Sequence, residues 1–82
     1  MLKVLFFARI REELDCASLD WPFPGGGCDL DTLQEQLCAE HGQKWREVLS
    51  QDNLIRSVNQ AIEEGNCVLT DGDEVAFFPP VT

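Results

Sequence analysis

The stretch Thr70 to Thr82, TDGDEVAFFPPVT, decides the fold. Asp71-Gly72-Asp73 reads as a tight turn, because glycine accepts positive φ and aspartate bonds its own local backbone. Glu74 to Phe78 alternates in the manner of a half-buried strand. Pro79-Pro80 then stops the pairing, since neither residue has an N–H to donate to a ladder. Val81-Thr82 follows as a stiff, extended stub. A strand that ends this way presents its terminus to something else. The expected division is a folded domain over residues 1–78 and an extended tail over residues 79–82.

Working outward, residues 2–8 form the first strand. Leu2, Val4 and Phe6 share one face; Lys3, Leu5 and Phe7 share the other, and Lys3 marks that face as outward. Ala8 to Asp15 suits a short helical turn with a solvated charged face. Ser18 to Phe23 is a second strand, and Pro22 marks an edge position or the strand's end. Pro24 to Gly27 is a flexible connector. It carries neither GxGxxG nor a Lys-Ser/Thr sequel, and Asp29 and Asp31 behind it would repel phosphate.

The main helix runs from Leu30 to His41, with Asp29 as N-cap and Gly42 at the C-terminal cap. Leu30, Leu33, Leu37 and Cys38 make its apolar stripe. Gln43 to Gln51 reads as a shorter helix burying Trp45, Val48 and Leu49. Leu54 to Asn59 is a third strand, Gln60 to Asn66 a turn, and Cys67 to Leu69 a short strand.

Two strands at each end flank one main helix, an α+β pattern with the helix packed across a mixed sheet. With the first and last strands as neighbours, the crossovers are right-handed and the fold is a ubiquitin-like β-grasp. The last strand is then central. Val75 and Phe77 face the helix, while Glu74, Ala76 and Phe78 face outward. Phe7 and Phe78 share that outer face at the base of the tail, and Ile62 beside the 59–60 turn joins them. Exposed aromatic rings so placed read as a partner interface.

At 82 residues the chain is one small domain, of a size that buries roughly 60–65% of its surface on folding. The net charge of −9 argues against nucleic acid and suits both solubility and a partner with a basic docking surface. No apolar run spans a bilayer and no signal-peptide pattern opens the chain, so a cytoplasmic location is expected. Cys16, Cys28, Cys38 and Cys67 lack CxxC spacing and read as reduced thiols, not as a disulfide framework or a zinc site with His41. No triad, no activated cysteine and no carboxylate pair is discernible. The expectation is a non-catalytic protein with no bound cofactor and no metal.

The segment DGDEVAFFPPVT resembles the C-terminal strand and tail of the MoaD-type sulfur-carrier family, the small subunits of molybdopterin synthase. Lys3 to Ala8 (KVLFFA) and Ser57 to Gln60 (SVNQ) agree with it, and the resemblance covers essentially the whole chain. It implies a carrier for molybdenum cofactor biosynthesis whose C-terminal glycine is adenylated by an E1-like enzyme using ATP and converted to a thiocarboxylate. It further implies docking to a large catalytic subunit, two carriers on a dimer of large subunits. The tail residues Pro79, Pro80, Val81 and Thr82 would lead into that partner's site. The family ends in Gly-Gly, whereas this sequence stops at Thr82 where that pair would begin. The expectation is that the natural chain continues with Gly-Gly. Carriers for thiamine or tRNA thiolation on the same fold, and a ubiquitin-like interaction module without sulfur transfer, are the alternatives.

Overall fold

A computed structural model describes residues 1–80. The expectations for Val81 and Thr82 lie outside the described residues. In chain order the elements are β1 (Leu2–Phe6), α1 (Ala8–Leu14), β2 (Ser18–Trp21), β3 (Cys28–Asp29), α2 (Leu30–His41), α3 (Gln43–Leu49), β4 (Ile55–Val58), β5 (Ala61–Glu63), β6 (Val68–Leu69) and β7 (Glu74–Phe78).

Five strands form one sheet in the order β2-β1-β7-β4-β5. β7 is central, parallel to β1 and antiparallel to β4, so the sheet is mixed. The two hairpins, β1–β2 and β4–β5, supply its outer strands. This is the β-grasp order that the two-ended strand pattern implies, with α2 and α3 enclosing the core.

The core follows from strand parity. Leu2, Val4 and Phe6 of β1 and Val75 and Phe77 of β7 are buried against Leu30, Leu33 and Leu37 of α2 and Leu49 of α3. Phe6 lies edge-on to Trp45, with ring centroids 5.3 Å apart. Helix α2 starts where expected. The Asp29 side chain accepts a 2.7 Å hydrogen bond from the Thr32 backbone N–H, satisfying one of the free donors of the first turn. The Thr32 side chain and this backbone bond together hold the Asp29 carboxyl below its ordinary pKa. At the other end Gly42 has φ 97°, a conformation that needs glycine.

Several boundaries differ from the sequence reading. The first strand ends at Phe6, and Phe7 is the N-cap residue of α1. That helix is more than a solvated turn, since Ile10 and Leu14 are buried in the core. The second strand stops at Trp21, ahead of Pro22. The span Gln60 to Asn66 is not only a turn but contains the edge strand β5. Asn59 and Gln60 both have positive φ, 50° and 71°. That geometry folds the chain straight back on β4, as two-residue hairpins require. The region read as connector and cap also holds β3, which pairs with β6 in a separate two-stranded ribbon. Ala76 has outward parity as expected yet is only 4% exposed. It is opposite Leu5 on one side and Ser57 on the other, and a methyl group between larger neighbours is covered by them.

Candidate functional site

The outer face of the sheet is built by register. Leu5 of β1, Ala76 of β7, Ser57 of β4 and Ile62 of β5 fall opposite one another in one row across four strands. Beyond that row, toward the C-terminal end of β7, Phe78 pairs with Ile55. Phe7 continues the β1 ladder by donating its backbone N–H to the Phe77 carbonyl at 3.2 Å. Its side chain therefore keeps the outward parity of Lys3 and Leu5.

The rings of Phe7 and Phe78 stack with centroids 4.7 Å apart and planes 4° from parallel. Phe7 is 39% exposed and Ile62 is 68% exposed, large values for residues of this size. Buried Ser57 and Ala76 form the floor of a groove of about 500 Å³, with Phe7, Phe78, Ile55 and Ile62 around it. Glu74 and Gln60 complete the lining. The structure thus brings together Phe7 and Phe78, expected from parity, and Ile62, expected from its place beside the 59–60 turn. Ile55 was not singled out from the sequence; the pairing of Ile55 with Phe78 and of Ser57 with Ala76 puts both on the outer face.

The tail begins at the edge of this groove. Pro79 and Pro80 follow Phe78 directly, outside any strand and half-buried. Proline's fixed φ keeps such a segment extended without hydrogen bonds of its own.

The other candidate groups lie elsewhere. His41 stacks on Trp45 with ring centroids 3.8 Å apart, at the end of α2. Cys28 and Cys38 are buried, and burial pushes both thiols up from their ordinary pKa. Among the described residues no group of three His, Cys, Asp or Glu side chains is placed to hold a metal ion. Among the described residues, too, no helix is long and apolar enough to cross a membrane.

Sheet order, strand parity and the central β7 define the chain as a ubiquitin-like β-grasp domain. It belongs to the ThiS family, whose model matches residues 4–82. The chain is similar to the molybdopterin synthase sulfur carrier subunit of Escherichia coli K12, with 40% identity covering 100% of this chain and 98% of that protein. The Haemophilus influenzae protein of the same description is 38% identical over the same shares. The corresponding Mycobacterium tuberculosis protein is 35% identical, covering 98% of this chain and 93% of its own length. Among solved structures, a Pyrococcus furiosus protein proposed to be molybdopterin converting factor subunit 1 superposes with a TM-score of 0.76 at 26% identity, covering 98% of this chain and 97% of its own. The Haloferax volcanii small archaeal modifier protein 1 reaches a TM-score of 0.75 at 19% identity, covering 98% and 97% of the two chains, and shares the fold.

Proposed function

We propose that the chain is the sulfur-carrier small subunit of molybdopterin synthase, acting in molybdenum cofactor biosynthesis. The observation that carries the reading is the stacked Phe7–Phe78 pair, which ends immediately before Pro79-Pro80. An aromatic docking face set at the root of an extended tail suits a protein that holds on with its sheet and works with its terminus. Full-length similarity to three proteins of that description supports it.

In this reading the carrier is not itself a catalyst. An E1-like partner joins the C-terminal glycine carboxylate to the AMP of ATP and releases pyrophosphate. A carboxylate is a poor electrophile, and the mixed anhydride makes its carbon attackable. A sulfur nucleophile then displaces AMP and leaves a thiocarboxylate. The large synthase subunit receives the tail, and the sulfur passes to a cyclic pyranopterin precursor; two such transfers make a dithiolene. Glycines thread a narrow channel because they have no side chain. Pro79-Pro80 reduces the conformational freedom lost on insertion. The carrier works in the cytoplasm, two copies on a dimer of large subunits, and binds no cofactor of its own.

The test is intact-mass measurement of a chain ending in Gly-Gly, incubated with the E1-like enzyme, ATP and a sulfur source. The expected product is heavier by the difference between sulfur and oxygen, and only when ATP is present. An unchanged mass under those conditions counts against the reading.

A further inference from the structure

We propose that Arg56 is a positioning residue for the docking face, acting through Ile62. The inference rests on the docking role given above to that face. Ile62 projects from β5, which has three residues, lies at the sheet edge and, among the described residues, pairs only with β4. Such a strand frays readily unless both of its ends are held. The Asn59-Gln60 turn holds one end. Arg56 holds the other.

Arg56 stands in β4 directly opposite Glu63, with its side chain on the helix side of the sheet. One guanidinium nitrogen donates to the Asp31 carboxylate at 2.6 Å and to the Gln34 side-chain oxygen at 3.0 Å, both on α2. The other donates to the backbone carbonyl of Gly65 at 3.1 Å, two residues beyond the end of β5. A second tie runs beside it, from the Asp31 backbone N–H to the Asn66 side-chain oxygen at 2.9 Å. The Arg56 side chain is itself only 16% exposed and its bond to Gln34 is partly buried, whereas the Asp31 and Gly65 ends face solvent, so the tie draws on three charge-assisted bonds from one held guanidinium. One planar, five-donor group thus ties the start of α2 to the chain leaving β5, and so fixes the plane from which Ile62 projects. A lysine has no fork to reach both anchors.

The experiment measures two things on Arg56→Met, Arg56→Lys and Asn66→Ala: amide hydrogen exchange, and affinity for the large subunit of molybdopterin synthase. The expected result is faster exchange confined to Ala61, Ile62 and Glu63, with β1 and β7 unchanged, and docking weakened about tenfold in Arg56→Met. Arg56→Lys should not restore either. Combining Arg56→Met with Ile62→Ala should cost little more than either change alone, while combining it with Phe7→Ala should be additive. Asn66→Ala cuts the parallel tie without touching the sheet, and must show the same pattern if Arg56→Met fails to fold. Wild-type docking by Arg56→Met and Asn66→Ala, alongside weak docking by Phe78→Ala, overturns this inference and leaves the docking face standing. Wild-type docking by Phe78→Ala and Ile62→Ala overturns both. Additivity of Arg56→Met with Ile62→Ala reduces Arg56 to a general support of the fold and likewise overturns the inference.

Discussion

Phe6 and Phe77 stack across the parallel β1–β7 pair with ring centroids 5.7 Å apart and planes 14° from parallel, on the side of the sheet that faces the helices. Each is followed by a phenylalanine whose ring stacks on the opposite side. The period-two alternation of a strand therefore splits four adjacent phenylalanines into a core pair and a surface pair.

The core pair should govern stability. Phe77 is fully buried, and Phe77→Ala should cost about 3–5 kcal/mol in a urea unfolding experiment. Phe78→Ala, at a half-buried position, should cost a fraction of that. Equal losses from the two changes would contradict the assignment of faces.

The surface pair should govern docking. Phe7→Ala or Phe78→Ala should weaken binding to the large synthase subunit by at least ~1 kcal/mol, about fivefold, with unfolding curves little changed. Calorimetric titration checks this. Unchanged affinity in both variants would remove the docking face from the account.

Acid should loosen the start of α2. The Thr32 hydrogen bonds hold the Asp29 carboxyl low, and the Arg46 guanidinium, bonded at 2.8 Å and 2.9 Å, does the same for Glu35. Groups with folded values depressed below their ordinary 3.8 and 4.5 contribute stability that is complete above those values. That contribution is lost as pH falls through the depressed values. Asp29→Ala should therefore lower the denaturation midpoint at neutral pH and differ less from the wild type as pH drops below 3.8. A difference that stays constant with pH would show that the cap is not the titrating element.

Cysteine labelling should follow burial. Cys16 is half-buried, whereas Cys28 and Cys38 are buried with thiols pushed up by desolvation. Iodoacetamide at neutral pH should modify Cys16 well before Cys28 and Cys38, which should react only through unfolding. Mass mapping of a time course reads the order. Early labelling of Cys38 would contradict the packing of α2 against α3.

Much of this was legible in the sequence because period-two and period-3.6 patterns report faces directly. Asp29, the Leu30–Leu33–Leu37 stripe and Gly42 marked both ends and the inner side of α2. The parity of Lys3 assigned the faces of β1, and through the parallel pairing those of β7, so Phe7 and Phe78 could be placed together. The elements that were not legible are those made by pairing alone. β3 has two residues and β5 has three, too few for a period to show. β5 exists because Asn59 and Gln60 both adopt positive φ, which Asn tolerates but Gln does not advertise. The burial of Ala76 likewise depends on Leu5 and Ser57, neighbours fixed by register and not by local sequence.

The central claim is that the C-terminus carries sulfur while the sheet face docks. A reconstituted molybdopterin synthase assay should compare the chain ending at Thr82 with the same chain extended by Gly-Gly. Two residues of extended chain span roughly 6–7 Å, and a misplacement of even about 1 Å can cost ~100-fold in rate. The account predicts that both chains bind the large subunit but that only the extended one acquires a thiocarboxylate and supports dithiolene formation. Equal sulfur transfer by both chains would contradict it.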